Sequence, residues 1–328
     1  MSWLRAVVRF FDQKIGLHRL GIILSVVIIA IAAVVLYRKL HNINISKVLT
    51  AMATVEYRDV VISAMFVLLA YFTLTFYDLF ALRAIGRKDV PYRVAALAGF
   101  TSYSIGHNVG ASVFTGGAVR YRIYSAWGID AIEVANICFI AGLTFWLGNL
   151  TVLGFGFAYH PQAASHIDQL PLWLNRALGI AALMVLAGYI AWVWRTPRII
   201  GRQNWQVQLP NGPLTLLQIA IGIVDLSCCA MAMYVLVPNE PHMQFVDIAV
   251  IFITATLLGF ASHSPGGLGV FDAAMLIALW EYDAEELLAG LLIFRLLYYI
   301  MPFTVALVVL GIRELKMHFF GRRNVVDK

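Results

Sequence analysis

Apolar segments about as long as a lipid bilayer is thick recur along this chain. A helix needs about 20 apolar residues to cross the hydrocarbon core of a membrane. Lipid offers backbone groups no hydrogen-bond partners, so such segments cross the membrane as helices. Six segments qualify as full transmembrane helices: 20–37, 60–82, 132–159, 174–194, 214–237 and 284–312. The sequence therefore predicts an all-α polytopic membrane protein.

The composition argues against a soluble protein. Of 328 residues, 61% are hydrophobic and 13% are charged, whereas an average soluble domain has about 25% charged residues. The net charge of +6 mainly reports the orientation of loops, and no basic patch interleaved with aromatic residues indicates nucleic-acid binding. Apolar segments and short loops leave no room for a soluble catalytic domain, so we expect one integral membrane domain over residues 1–328.

Two further apolar stretches, 94–119 and 246–280, are interrupted by glycine, proline and polar residues. In the second stretch, Pro265, Gly266 and Gly267 should end a helix. Non-helical backbone is tolerated at membrane depth only where it is buried in protein or lines a wet cavity. Helix ends that meet there would direct their dipoles at the occupant of the cavity, as in transporters. Each stretch could be a re-entrant hairpin, a pair of thin spans or one broken span.

Lysine and arginine are concentrated in alternate loops. Loops 83–93 and 195–213 carry four and three of these residues, and the C-terminal tail carries five. Loops 159–173 and 238–245 carry none. If both interrupted stretches enter and leave on one side, the pattern obeys the positive-inside rule everywhere except loop 38–59. We therefore expect a multi-pass protein with both termini in the cytoplasm.

A weak internal repeat relates two halves of the chain, at about residues 15–160 and 170–315. Each half reads as a span, a span with an aspartate, an interrupted glycine-rich stretch and a span. Three full spans per half would turn the halves opposite ways in the membrane, as in transporters with inverted repeats. The features that recur about 150 positions apart are Asp78 and Asp225, and the glycine pairs 116–117 and 266–267.

Several ionisable residues lie in apolar surroundings, where each charge costs roughly 2.5–3.5 kcal/mol. The deepest are Asp78, Asp225, Asp272 and Arg295. Arg120 and Arg122 lie near the end of the first interrupted stretch. A cavity whose arginines hold an anionic headgroup, with carboxylates that balance them or bind an amine, would explain these charges. Structural ion pairs that fix the helix register would explain them as well. Arg295 needs an anion, which could be Asp272, Asp225 or a lipid phosphate.

Two histidines lie in the interrupted stretches. His263 and His107 could relay protons, because histidine titrates near physiological pH. The alternative is a hydrogen-bonded structural histidine beside broken backbone, which we favour for His107. No histidine, cysteine and aspartate cluster has the spacing of a metal site, and no conventional active-site motif occurs. We therefore expect neither a metal nor a cofactor.

Four elements resemble those of a known family. Residues 115–124, TGGAVRYRIY, are similar to a "GG…RYRLY" element, and residues 262–272, SHSPGGLGVFD, to an "SHxPGGLGVxE" element. Residues 294–302, FRLLYYIMP, resemble a "YRxLYYxxP" segment, and Asp78 matches an acidic second helix. These elements are typical of the lysylphosphatidylglycerol synthase/flippase transmembrane family. The resemblance runs in order from about residue 15 to 315. Asp272 stands where the family usually has glutamate, which puts the partner of this carboxylate in doubt.

The resemblance implies a flippase-like protein of the bacterial inner (plasma) membrane. Such a protein would move or bind an anionic or aminoacylated phospholipid similar to lysylphosphatidylglycerol. The resemblance also implies roles for Asp78 and Arg120. Because the chain ends at Lys328, we expect the soluble aminoacyltransferase domain of the full synthases to be absent. The residues predicted to bind the substrate are Asp78, Arg120, Arg122, Asp225, His263, Pro265, Gly266, Gly267, Asp272, Arg295 and Tyr298.

Two other functions remain open from the sequence. The protein could be a membrane-embedded enzyme that acts on lipid headgroups, with Asp272 and His263 as acid and base. It could also be a non-catalytic membrane partner of a separate phospholipid synthase, in which the buried polar residues are purely structural. Headgroup turnover without leaflet exchange would favour the enzyme, and co-purification with a synthase would favour the partner.

Overall fold

The computed structural model describes residue 34 and residues 44–110, 112–196, 198–202 and 205–326. This part of the chain is almost entirely helical. Its helices are α1 Ile45–Thr54, α2 Tyr57–Ala84, α3 Tyr92–Val109, α4 Ser112–Tyr124, α5 Ala131–Tyr159, α6 Pro161–Asp168, α7 Leu172–Val193, α8 Gly212–Tyr234, α9 Phe245–Ala261, α10 Val270–Ala278, α11 Ala284–Arg295 and α12 Met301–Val326. Short helical turns occur at Ser125–Trp127, Pro265–Gly267 and Leu296–Ile300, and the strands are β1 Ile199–Arg202 and β2 Trp205–Gln208.

Five of the described helices are long and apolar enough to cross a membrane. They are α2, α5, α7, α8 and a nearly continuous helix over Ala284–Lys316 that contains α11 and the start of α12. These helices coincide with five of the six predicted spans. The sixth predicted span, 20–37, lies outside the described residues apart from Val34. The all-α polytopic membrane architecture is therefore confirmed.

The first interrupted stretch is a helical hairpin. Helix α3 ends at Gly110, whose backbone (φ +81°, ψ 177°) is open to glycine but strained for other residues. Helix α4 then returns and packs against α3. At the open end of the hairpin, the Arg87 guanidinium donates to the Trp127 carbonyl at 3.0 Å. The chain therefore enters and leaves this hairpin on the same side, as the re-entrant alternative requires.

The second interrupted stretch is also a hairpin, formed by α9 and α10. Both helices pack against α6, and His160 at the start of α6 lies 3.7 Å from Asp247 of α9. Helix α5 runs from the side of Trp127 to the side of α6. The two hairpins therefore enter the helical bundle from opposite sides.

The centre of the bundle is formed by α2, α5 and α8. Helix α8 packs along both α2 and α5. Gly148 of α5 and Gly222 of α8 face each other so closely that a Cβ on either would lie 2.9 Å from the Cα of the other. The buried Gln218 amide donates to Thr144 at 2.7 Å beside this crossing. The two helices can approach this closely because neither has a side chain at the contact.

Candidate functional site

The two hairpins meet at their turns. A Cβ on Gly110 would lie 3.5 Å from the Cα of Pro265, and a Cβ on Gly266 would lie 3.8 Å from the carbonyl oxygen of His107. The Asn108 amide reaches beyond the turn and donates to the Tyr299 carbonyl at 3.1 Å. The structure thus brings together the turns of the two interrupted stretches, which are far apart in the sequence.

A π-helical turn in the last span supports this meeting point. Pro302 has no N–H to donate to a carbonyl one turn earlier, and the helix widens over Leu296–Ile300. The Tyr298 carbonyl accepts instead from the Tyr71 hydroxyl at 2.9 Å. A Cβ on Gly266 would lie 3.6 Å from the Tyr299 ring. The widened turn therefore presents the Tyr298 carbonyl to α2, the Tyr299 carbonyl to the first hairpin and the Tyr299 ring to the second.

Arg295 is paired with Asp272, which selects one of its three predicted anions. Its Nε donates to Oδ1 at 2.9 Å and its Nη2 to Oδ2 at 2.7 Å. Its Nη1 donates to the Gly266 carbonyl at 3.1 Å, so the arginine also holds the hairpin turn. The Gly269 N–H donates to Asp272 Oδ2 at 3.0 Å. The shorter aspartate side chain therefore still reaches the arginine with both oxygens.

A second buried ion pair joins Asp78 of α2 to Arg120 of α4. Arg120 Nε lies 3.1 and 3.0 Å from the two carboxylate oxygens, and Nη2 donates to Oδ1 at 2.7 Å. The Tyr124 hydroxyl donates to Oδ2 at 2.8 Å. Asp78 is 0% exposed and Arg120 is 5% exposed. The third nitrogen, Nη1, has a weak contact with the Cys138 thiol at 4.0 Å.

Asp225 of α8 has a different environment from the other two buried aspartates. Its Oδ1 accepts from the Thr73 hydroxyl at 3.1 Å and its Oδ2 from the Tyr77 hydroxyl at 2.9 Å. In the part of the chain that the structure describes, no arginine or lysine forms an ion pair with it. Asp225 therefore connects α2 to α8 through neutral hydrogen-bond donors.

Three of the predicted binding residues are exposed, namely Arg122, His263 and Pro265. The Arg122 side chain is 63% exposed and pairs with Glu314 of α12. His263 is exposed, has φ +57° and places its Nδ1 3.0 Å from the Ala261 carbonyl oxygen. The remaining predicted residues lie in the two ion pairs, around Asp225 or at the meeting hairpin turns. The structure therefore does not bring Arg122 into this cluster.

Some polar residues of the site are not among those predicted to bind the substrate. Tyr124 follows Arg120 by four positions, and Tyr77 follows Thr73 by four, so helical spacing could have paired them. Nothing in the sequence points to Asn108 as the contact between a hairpin turn and the last span. His107 also differs from expectation, because its buried Nδ1 has no hydrogen-bond partner among the described residues.

Comparison with known proteins gives the same family as the motifs. A family described as "Lysylphosphatidylglycerol synthase TM region" matches residues 22–306. The uncharacterized protein slr0712 of Synechocystis sp. is 32% identical over 258 residues, which cover 78% of this chain and 80% of that protein. The inner membrane protein YbhN of Escherichia coli is 28% identical over 249 residues, which cover 74% and 76% of the two chains.

Longer relatives match as well. The phosphatidylglycerol lysyltransferase of Staphylococcus haemolyticus is 26% identical over 289 residues. The match covers 87% of this chain but 33% of that protein, so the chain spans about a third of the lysyltransferase. The family match extends over most of the chain and includes both hairpins and both buried ion pairs. This chain therefore belongs to the family of lysylphosphatidylglycerol synthase transmembrane regions.

Proposed function

We propose that this protein binds a phospholipid with an anionic or aminoacylated headgroup and moves it between the leaflets of the bacterial inner membrane. The observation that carries the proposal is the meeting of two hairpins that enter the bundle from opposite sides, with a buried arginine–aspartate pair in each half of the chain. Many transporters bind their substrates where broken helices meet near the middle of the membrane. The related lysyltransferases are named for phosphatidylglycerol, which supports a phospholipid as the substrate.

The ion pairs offer a way to bind such a headgroup without leaving a bare charge in the membrane. A guanidinium binds phosphate oxygens with the same paired geometry that it uses for a carboxylate. A lipid phosphate could therefore replace Asp78 on Arg120, and the displaced carboxylate could meet the amine of an aminoacyl headgroup. Exchange of one partner for another avoids the large cost of an uncompensated buried charge.

Lipid exchange in liposomes tests the proposal. We expect the reconstituted protein to move fluorescent phosphatidylglycerol between leaflets faster than protein-free liposomes do. The variant Gly110→Ala should change this rate several-fold, because alanine at φ +81° strains the meeting point by about 1–3 kcal/mol. The matched control is Gly86→Ala. Gly86 has φ +85°, lies in the loop before α3 and has no atom within 4 Å of an added Cβ.

The results separate the possible functions. Leaflet exchange no faster than in empty liposomes would remove the proposal, and an equal effect of the two glycine variants would remove the role of the hairpin turns. Turnover of the headgroup by pure protein would favour a membrane-embedded enzyme. Both carboxylate oxygens of Asp272 are engaged by Arg295, which argues against Asp272 as the acid or base of that enzyme. Co-purification with a lipid synthase, without exchange, would favour a non-catalytic partner.

A further inference from the structure

An apolar groove lies between α4 and α5, on the outer side of the Asp78–Arg120 pair. Its volume is about 700 Å³, and its lining extends along α5 from Ala131 to Trp146. Fifteen helical steps of 1.5 Å make this length about 22 Å, whereas one leaflet of the hydrocarbon core is about 15 Å thick. The groove is therefore long enough for an acyl chain that follows α5 from the membrane interface inward.

One thiol separates this groove from Arg120. Cys138 and Gly117 both line the groove, and a Cβ on Gly117 would lie 3.7 Å from the Cys138 sulfur. The same sulfur lies 4.0 Å from Arg120 Nη1. A thiol is a weak hydrogen-bond acceptor. The side of the guanidinium that faces the groove thus lacks a strong partner among the described residues.

The other buried arginine shows the contrast. Arg295 Nη1 donates to the Gly266 carbonyl at 3.1 Å, so all three nitrogens of that guanidinium are engaged. Arg120 uses only Nε and Nη2 on Asp78. A smaller cavity of about 290 Å³ between α5, α8 and α9 has no arginine in its lining. The groove at α4 thus combines an apolar wall with a nearby guanidinium, that of Arg120, which can bind a further anion.

We propose that the groove seats an acyl chain of a phospholipid that enters sideways from the bilayer, and that the lipid phosphate reaches Arg120 past Cys138. This inference rests on the proposed function, to which it adds the route by which the lipid phosphate reaches Arg120. A phospholipid is the occupant because its two parts match the two parts of the site. The apolar wall suits the chain, and the Nη1 donor, which is held only by the weak contact with the Cys138 thiol, suits the phosphate.

Alkylation of Cys138 tests the route directly. The intact protein in detergent is treated with N-ethylmaleimide, and the modification of each cysteine is followed by mass spectrometry. Added phosphatidylglycerol should slow the alkylation of Cys138 several-fold, whereas diacylglycerol with the same chains should have little effect because it has no phosphate. Cys228 and Cys229, which are 6% and 5% exposed, serve as internal controls. No slowing by phosphatidylglycerol, or equal slowing by both lipids, would overturn the inference.

Two glycine variants test whether the lipid protects Cys138 from alkylation by occupying the groove. Gly142 lines the groove, and Gly188 lies on α7; at both positions an added Cβ meets no atom within 4 Å. In Gly142→Leu the alkylation of Cys138 should no longer respond to phosphatidylglycerol, whereas Gly188→Leu should behave as the wild type. A normal response in Gly142→Leu would overturn the inference.

The outcomes also separate this inference from the proposed function. If phosphatidylglycerol protects Cys138 but the protein moves no lipid in liposomes, the proposed function fails and the binding groove stands. If the protein moves lipid but Cys138 is not protected, the groove is wrong and the proposed function stands.

Discussion

Asp78 and Asp272 each hold a buried arginine through both carboxylate oxygens. Removing two charges from water is expensive, and their mutual attraction offsets that cost only when the geometry is good and the remaining polar atoms are satisfied. Tyr124 supplies an additional hydrogen bond to Asp78, and the Gly269 N–H supplies one to Asp272. Each pair is therefore stable as a unit, and the loss of one partner should cost more than the loss of both.

The substitution Asp78→Asn tests this reasoning. It leaves the Arg120 guanidinium buried without a counter-charge, so we expect the free energy of unfolding to fall by about 3–5 kcal/mol. The control Asp59→Asn breaks a pair with the exposed Arg58 and should cost no more than about 1 kcal/mol. The measurement is denaturant unfolding in detergent.

A double variant completes the comparison. Asp78→Asn combined with Arg120→Gln removes both charges and should recover part of the stability that the single variant loses. A double variant less stable than Asp78→Asn would show that the pair is not the source of the loss.

The sequence identified these charges, but it left three possible anions for Arg295 and gave no partner for Asp225. The cost of placing a charge in the membrane is enough to identify Asp78, Asp225, Asp272 and Arg295 as residues that require a stabilising partner. Their partners depend on how helices pack. Arg120 lies 42 positions from Asp78, and Thr73 lies 152 positions from Asp225. No local pattern reports a contact over such distances, so Arg122 was grouped with Arg120 although it lies on the exposed side of α4.

At the scale of helices, the contact between α5 and α8 is set by two glycines. Helix–helix association in membranes depends on close packing, and small residues allow backbones to approach. Gly148 and Gly222 leave no room for a methyl group. Gly188 of α7 faces open space instead. Replacement of glycine by alanine should therefore lower the stability of the protein at Gly222 but not at Gly188.

The substitution Gly222→Ala should destabilise the protein, because the new Cβ would lie 2.9 Å from the Cα of Gly148. The substitution Gly188→Ala should leave stability unchanged or raise it, because alanine is favoured over glycine in a helix by about 0.5–1 kcal/mol. Thermal unfolding in detergent measures both effects. A Gly222→Ala variant as stable as Gly188→Ala would mean that α5 and α8 do not cross at this point.

The sequence predicted helices best where hydrophobicity alone shows that a segment spans the membrane. Five spans were predicted to within a few residues of their ends. The interrupted stretches were located, but three geometries remained open because glycine and proline show where a helix ends and not where the chain goes next. The helices α1 and α6 and the strands β1 and β2 were not predicted. They lie in the loops between the predicted spans, where the sequence pattern reports charge and no secondary structure.

At the scale of the whole molecule, the contacts at the ends of the helices fix which loops share a side. Arg87 contacts Trp127, and the Asn136 amide donates to the Gln206 carbonyl at 3.2 Å. These contacts gather the loops before and after the first hairpin and the β1–β2 connection on one side. His160 and Asp247 lie on the other side. The arrangement agrees with the predicted grouping of these loops on two sides, and the assignment of one side to the cytoplasm stays a prediction. The inverted repeat stays a prediction.

Cysteine labelling in whole cells tests this sidedness. Lys88→Cys and Ser125→Cys flank the first hairpin, and both positions are exposed. A membrane-impermeant maleimide should label them from the same side of the membrane, because a re-entrant hairpin returns to its starting side. His242→Cys, between α8 and α9, should be labelled from the opposite side. Labelling of Lys88→Cys and Ser125→Cys from different sides would mean that the first interrupted stretch spans the membrane.

The bond from Asn108 to the Tyr299 carbonyl has a consequence for how the protein is made. The two residues are 191 positions apart, and ribosomes add about 5–20 residues per second. The first turn is thus synthesised roughly 10–40 s before its partner exists. During that interval the amide nitrogen can keep its bond to the Ser104 carbonyl at 2.8 Å, but its second N–H lacks the partner that it has in the folded protein. Biogenesis of the first half should consequently depend on the arrival of the second half.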